Sequence, residues 1–175
     1  MSWRASSPSA LEAEDELKLL MVGDGSMREE LTALARELGV VEHVSFCGNR
    51  DQGWLAQVLP LAAAVVSPIT GRALTEAAFG EAPVVAYDLD WQGELIEMGK
   101  TGILVPARDV VKMADGVERF LTDGDFARAM GRAVRKRAFE MLDPETLDQH
   151  ERDEYEKRFR RFDASRRLVS STRRA

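Results

Sequence analysis

Five short apolar runs, separated by helix-patterned segments, restrict this chain more than any other feature. The runs are Leu19-Leu20-Met21-Val22, Val44-Ser45-Phe46-Cys47, Ala63 to Ser67, Pro83 to Tyr87, and Gly102-Ile103-Leu104-Val105. Each is too short for a helix and closes at glycine, proline or a polar turn, as buried strands do. Between the first two, Leu31, Leu34, Ala35 and Leu38 recur at helical spacing and Gly39 ends the pattern. Ser26 is placed to cap that helix, with Glu29 three residues on as a capping box. Trp54, Leu55, Val58 and Leu59 form a short helical face ending at Pro60, and Ala73 to Phe79 forms another. A short helix is expected around Glu94 to Met98. Asp109 can cap a helix through Phe120, and a long helical stretch follows from about Asp125.

Strands that alternate with helices across short loops predict an α/β fold, a Rossmann-like parallel sheet with helices on both faces. Leu19 to Val22 is expected to be a buried strand of it. Ligands of such sheets bind at the carboxyl ends of the strands. Those ends are Gly23-Asp24-Gly25, Gly48-Asn49, Ser67 to Gly71 and Asp88 to Gln92.

The length suits one main domain, and a 45% apolar share supports a core. The expected division is a flexible stretch over 1–15, with a short helix from Leu11 to Leu17, then the sheet domain over 16–160, then a basic flexible tail over 161–175. No apolar run approaches a membrane span, and the start has no secretory pattern. Cys47 is the only cysteine. A cytoplasmic setting fits. Lys157 to Ala175 holds eight basic residues against Asp163, a net of +7, so the preceding residues total −13. The acidic body argues against nucleic acid as a partner. The basic tail is either a solvated terminus or a weak peripheral contact for anionic membrane headgroups.

The strand Ala63 to Ser67 runs into Thr70-Gly71-Arg72-Ala73-Leu74, where Gly71 can turn the backbone into a helix. Free N–H groups at a helix start attract phosphate. Glu76, one turn further in, can accept hydrogen bonds from a sugar diol or can be an exposed helix carboxylate; the residues alone leave both open. Other sites are poorly supported. Gly23-Asp24-Gly25 lacks the third glycine and the later acidic residue of a dinucleotide fingerprint, and no Walker lysine pattern occurs. His43 and His150 have no metal-ligand spacing; His43 fits a loop before a strand. Cys47 reads as a small core residue. Asp88 and Asp90 fit a solvated loop end better than a metal site. No Ser-His-Asp or Cys-His set stands out, so the catalytic residues stay unknown, and neither a metal nor a cofactor is expected.

From Lys18 to Met141 the chain resembles the C-terminal, nucleotide-sugar-binding domain of glycosyltransferase family 4, retaining enzymes with a two-domain GT-B fold. Leu20-Met21-Val22-Gly23-Asp24-Gly25 with Arg28-Glu29-Glu30-Leu31 is similar to the family's strand–turn–helix. His43 to Gly48, Glu76-Ala77-Ala78 through Ala82-Pro83-Val84-Val85-Ala86, and Glu94-Leu95-Ile96 with Gly99 to Pro106 match further family pieces in order. The resemblance implies half of a GT-B fold. It implies that Glu76 holds the donor's ribose and that the turn of Thr70, Gly71, Arg72, Ala73 and Leu74 meets the diphosphate. Gly48, Asn49 and Arg50 would lie against the base, with Gly23 and Gly25 at the neighbouring strand end. The substrate would be a UDP- or GDP-linked sugar.

The pattern also departs from the family. Pro68 stands eight residues before Glu76, where the family usually has a second glutamate that contacts the transferred sugar. Arg72 faces either phosphate or solvent. The family's acceptor-binding N-terminal domain and the first strand of this domain have no counterpart. The expected function is therefore a truncated donor-binding domain of a hexosyltransferase in carbohydrate biosynthesis, inactive alone. It would work with a separate acceptor-binding domain or by self-association, with Leu19 to Val22 open to another chain. The alternative is a non-catalytic nucleotide-binding or protein-interaction module of the same fold; a weaker third is an unrelated nucleotide-binding sheet protein.

Overall fold

The computed structural model describes residues 17–143 and, beyond them, helical positions at 149, 152, 153, 155 and 157–159. The expected flexible start, nearly all of the helix expected from Leu11 to Leu17, His150 and the basic tail over 161–175 lie outside the described residues.

Strands and helices alternate as β1 (Leu19–Val22), α1 (Arg28–Glu37), β2 (Val44–Gly48), α2 (Gln52–Val58), β3 (Val65–Ser67), α3 (Arg72–Phe79), β4 (Val84–Tyr87), α4 (Gln92–Leu95), β5 (Ile103–Val105), α5 (Val110–Thr122) and α6 (Gly124–Leu142). Every pair of named strands is parallel: β1 with β2, β3 with β4, and β4 with β5. The fold class is the expected one, parallel sheet with helices. One detail differs: among the described residues the strands form two sheets, β1-β2 and β3-β4-β5, that do not pair with each other.

The core belongs to the second sheet. Successive side chains of β4 point to opposite faces, and both faces are covered. Val84 and Ala86 pack with Leu74, Ala77 and Ala78 of α3, Leu95 of α4, and Val134 and Ala138 of α6. Val85 packs on the other side with Ile103, Val105, Met113 and Phe120, together with Ala127 and Met130 of α6. The spacing of Leu74, Ala77 and Ala78, and of Ala127, Met130, Val134 and Ala138, places each set on one helix face. Burying a side chain the size of Phe120 or Leu74 stabilises by about 1.5–3 kcal/mol. Arg137 of α6 donates twice to Glu94 O at the end of α4, at 3.1 and 3.0 Å, tying the long helix to the loop beyond β4.

The first sheet corrects the sequence reading. Leu19, Leu20 and Val22 are 52%, 45% and 44% exposed, so β1 is not the buried strand expected. From residue 17 to residue 66, only Ala35 is buried. Cys47 is correspondingly only half-buried, not a core residue. The cause is tertiary: the apolar pattern of β1 fits an interior strand, but among the described residues β1 pairs with β2 alone. Local corrections are smaller. Ser26 does not cap α1; Met27 occupies that position without a side-chain bond. Arg28 N instead bonds Gly25 O at 3.2 Å, so a turn occupies the expected cap. The fourth helix starts at Gln92, earlier than expected, and stops at Leu95 because Ile96 is extended and Thr101 Oγ1 takes the Glu97 N–H at 2.8 Å. His43 ends a 3₁₀ turn directly before β2.

Candidate functional site at the strand carboxyl ends

The ends of β1 and β2 come together through glycine. Gly23 N donates to Gly48 O at 2.9 Å. Their φ angles, 131° and 66°, are ones that side-chain-bearing residues rarely adopt. The Gly25 N–H is held by Asp24 Oδ1 at 2.9 Å. Arg28 crosses from α1 and donates to Phe46 O at 3.4 Å. Asn49 and Arg50 follow Gly48 as exposed loop residues, with the Arg50 guanidinium 5.3 Å from the centre of the Trp54 ring. The predicted residues Gly23, Gly25, Gly48, Asn49 and Arg50 thus share one surface.

That loop connects to the second predicted group through α2. Asp51 caps the helix by accepting the Trp54 N–H at 2.8 Å. The next residue, Gln52, donates from Nε2 to Glu76 Oε1 at 2.6 Å. Arg72 Nε lies 3.1 Å from the same oxygen. Both partners use Oε1, so Oε2 has no recorded partner among the described residues. The Glu76 side chain is 19% exposed and that of Arg72 84% exposed, so the carboxylate lies in the protein wall and the guanidinium in solvent. The exposed pair itself contributes little stability.

Gly71 opens α3 with φ 152° and no side-chain cap. The N–H groups of Arg72 and Ala73, in the first turn, lack intrahelical acceptors, and both residues are exposed. Leu74 differs: its N–H bonds Gly71 O at 3.2 Å and its side chain is fully buried in the core. Thr70 Oγ1 donates to Asp90 Oδ2 at 3.2 Å, joining this turn to the loop after β4. Beneath it, the buried Gln92 donates from Nε2 to Ser67 O, Ser67 Oγ and Ile69 O at 3.2 to 3.3 Å. Three acceptors on one amide hold the Ser67–Ile69 segment to α4. An open cleft of about 870 Å³ starts at Gln52 and Glu76 but runs to the amino ends of β3 and β4, at Ala63 and Pro83. The glycine turns therefore lie at the opposite end of the sheet from its floor.

Chemically, this arrangement offers free helix N–H groups for an anion, a carboxylate oxygen for hydroxyl donors, and a glycine loop that a flat group can approach. The family profile of the glycosyl transferases, group 1, matches residues 7–137. The chain belongs to the glycosyl transferases group 1 family.

Relatives within and around the family differ in chemistry. A GDP-mannose-dependent alpha-(1-6)-phosphatidylinositol monomannoside mannosyltransferase of Mycobacterium tuberculosis is 33% identical over 140 residues, covering 74% of this chain and 36% of the relative. An alpha-D-kanosaminyltransferase of Streptomyces kanamyceticus is 31% identical over 119 residues, covering 66% of this chain and 31% of the relative. The chain thus spans about a third of the length of these curated relatives. Among solved structures, sucrose-phosphate synthase from Thermosynechococcus elongatus aligns with a TM-score of 0.73 at 26% identity, covering 86% of this chain and 41% of that one. Anabaena Alr3699/HepE in complex with UDP and glucose aligns with a TM-score of 0.70 at 22% identity, covering 85% and 44%; at that identity the likeness shows the fold alone.

Sequence reasoning missed Gln52, and it placed Ser67 and Gln92 only as ends of the strand-end loops, without the bond that joins them in this family member. Gln52 carries no local signal, since its contact is 24 residues away. Gln92 was readable only as part of a polar loop; its complete burial is the tertiary fact that gives it a role. Asp90, read as solvated, is exposed but accepts the Thr70 bond.

Proposed function

We propose that this chain is the C-terminal, donor-binding half of a retaining glycosyltransferase of family 4, binding a UDP- or GDP-linked sugar and inactive alone. One observation carries the reading: the Glu76 carboxylate is held by Gln52 and Arg72 through one oxygen, beside the uncapped start of α3. In this reading the free Oε2 takes the ribose hydroxyls, the N–H groups of Arg72 and Ala73 take the diphosphate, and Gly48 to Arg50 flank the base. Fold and family support a nucleotide site at this sheet end. The mycobacterial relative is named for GDP-mannose and the Anabaena structure holds UDP, so both bases are tested. Because the chain spans about a third of its relatives, transfer is assigned to a larger assembly with an acceptor-binding domain. The basic tail would supply peripheral membrane contact.

The test is calorimetric titration of UDP, GDP and their sugars into the chain and into Glu76→Ala. Hydrogen bonds to a charged group contribute about 1.5–3 kcal/mol, so the variant should bind roughly ten- to a hundredfold more weakly. Unchanged affinity in a folded variant removes Glu76 from the site, and failure of every nucleotide to bind the parent chain refutes the donor reading. The second reading, a non-catalytic interaction module, is favoured by Pro68 in place of a sugar-contacting acid and by the uncovered first sheet. It predicts no nucleotide binding.

A further inference from the structure

The contacts along the strand ends form a series. Arg50 and the helix cap Asp51 follow Gly48 at the end of β2. Gln52 then bonds Glu76 at 2.6 Å. Glu76 lies one turn into α3, whose start carries Arg72 and Ala73. Just before that start, Thr70 Oγ1 donates to Asp90 Oδ2 at 3.2 Å. A nucleoside diphosphate sugar carries its groups in a matching order: base, ribose, diphosphate, sugar. With the base at Gly48 to Arg50, the ribose at Glu76 and the diphosphate at the start of α3, the group left to place is the sugar. The next element in the series is the loop after β4, at Asp90.

Charge divides the turn in the same direction. On the Glu76 side stands the Arg72 guanidinium, and on the Thr70 side the exposed carboxylate of Asp90. A diphosphate is drawn to the helix N–H groups and the guanidinium and repelled by the carboxylate. The group that meets Asp90 therefore carries hydrogen-bond donors and no negative charge, as sugar hydroxyls do. An ionised carboxylate accepts through both oxygens. Thr70 uses Oδ2, and Oδ1 has no hydrogen-bond partner among the described residues. No side chain between β3 and Thr70 competes for the task. Ser67 Oγ is engaged with Ile69 O and Gln92, and Pro68 and Ile69 are apolar. Asp88 is turned elsewhere: its Oδ1 lies 3.5 Å from where a Cβ on Gly93 would stand, over the start of α4.

The loop is also held in place. Gln92 N donates to Leu89 O at 3.0 Å, closing a turn around Asp90. The φ of Asp90 is 46°, a region that Asp and Asn enter more readily than other residues with side chains. Gln92 Nε2 fastens the same turn to Ser67 and Ile69, so Asp90 keeps a fixed position relative to the start of α3.

We propose that Asp90 is a sugar-contacting, specificity-determining residue: its carboxylate accepts hydrogen bonds from hydroxyls of the donor's sugar and disfavours sugars that carry a carboxylate. The inference rests on the donor reading above. The discrimination follows from the loop's composition. From Tyr87 to Met98 there are four acids, Asp88, Asp90, Glu94 and Glu97, and no basic residue. Arg137, at the far end of α4, is engaged by Glu94 O and Glu97. A uronic acid would meet like charge here without a counter-ion, which is how a site rejects a near-isostere.

The experiment is calorimetric titration of the full 175-residue chain with UDP, UDP-glucose, UDP-glucuronate, GDP and GDP-mannose. The variants are Asp90→Gly and Asp90→Asn, both compatible with the positive φ, and Thr70→Val, which removes the hydroxyl and keeps the carboxylate. Circular dichroism melting checks each fold. Asp90→Gly should bind the neutral sugar donor that the parent prefers roughly tenfold more weakly, and the bare nucleotide within about twofold of the parent. Asp90→Asn should narrow the preference for UDP-glucose over UDP-glucuronate. Thr70→Val should change nucleotide and nucleotide sugar by the same factor. Equal losses for both ligands in Asp90→Gly would make Asp90 a positioning residue for the turn and overturn the proposal. So would unchanged binding in the folded variants, a parent that binds nucleotides but neither neutral sugar donor, or a parent that prefers UDP-glucuronate to UDP-glucose. Failure of every nucleotide to bind the parent refutes the donor reading itself and this inference with it, so the two failures are distinguishable.

Discussion

Gly131 is where the packing that supports the candidate site can be tested most sharply. It lies in α6 against the turn between α3 and β4. A Cβ at this position would stand 2.2 Å from Glu81 O and 3.1 Å from Glu81 C. The obstacle is backbone, and Glu81 is itself held at a φ of 59°. It cannot rotate away as a side-chain tip would. One turn further on, Arg135 Nη1 meets Glu81 Oε2 at 3.3 Å, so helix and turn are held together there. In an exposed helix, Gly→Ala gains about 1 kcal/mol of propensity. Here that gain opposes an overpacking cost of about 1–3 kcal/mol, at the upper end because a backbone atom must move by more than an ångström. The expected net loss for Gly131→Ala is about 2 kcal/mol, or roughly 4–8 °C in Tm for a chain of this size. Urea unfolding monitored by circular dichroism measures it, with the slope compared to confirm that the transition is unchanged in kind. An equal or higher midpoint would refute the reasoning, because propensity would then have won and the helix–turn contact would be loose. Because α3 carries Glu76, a weakened contact should also lower nucleotide affinity in proportion to any displacement of that helix.

Thr101 is a second structural test: its buried hydroxyl donates to Leu95 O and accepts from Glu97 N, each at 2.8 Å. Thr101→Val keeps the shape and leaves both groups unpaired, so it should cost about 1–3 kcal/mol in urea unfolding; a neutral result would mean water replaces both bonds. Glu97 supplies a pH test. Lys100, by hydrogen bond and charge, holds its carboxyl below the ordinary value of 4.5, with Arg137 adding to the effect against burial. A depressed folded pKa contributes stability that is present above 4.5 and lost as pH falls through the folded value. Glu97→Gln should therefore unfold at lower urea than the parent at pH 7, with the gap closing in acid as the Glu97 carboxylate is protonated. A gap that persists in acid would contradict the pairing.

Much of the second sheet was legible because its signals are local. The run from Pro83 to Tyr87 is apolar at every internal position, and β4 is buried on both faces as such a run requires. Asp109 caps α5 by accepting the Lys112 N–H at 3.0 Å, as its place before a helical pattern predicted. Gly71 turns where a strand had to become a helix. At the site, Gly23, Gly48 and Glu76 could be nominated from sequence because glycine at strand ends and a carboxylate near a helix start have recognisable chemistry. Their assembly could not. The Gln52–Glu76 bond and the threefold anchoring by Gln92 join residues more than 20 positions apart, and no periodicity encodes such a pairing.

The same division explains the first sheet. Sequence alone determined that Leu19 to Val22 is a strand, because short apolar runs before glycine have few other solutions. Whether that strand is buried is decided by what lies beside it. The amino acids of β1 carry the pattern of an interior strand, while the tertiary structure gives it β2 as its single strand neighbour among the described residues. Burial is a property of neighbours, and a chain's own residues specify only how well they would tolerate it. The alternation of strands and helices was thus fixed locally by hydrophobic period and turn chemistry. The split into a covered and an uncovered sheet, and the position of Glu76 between Gln52 and Arg72, arose only from long-range contact.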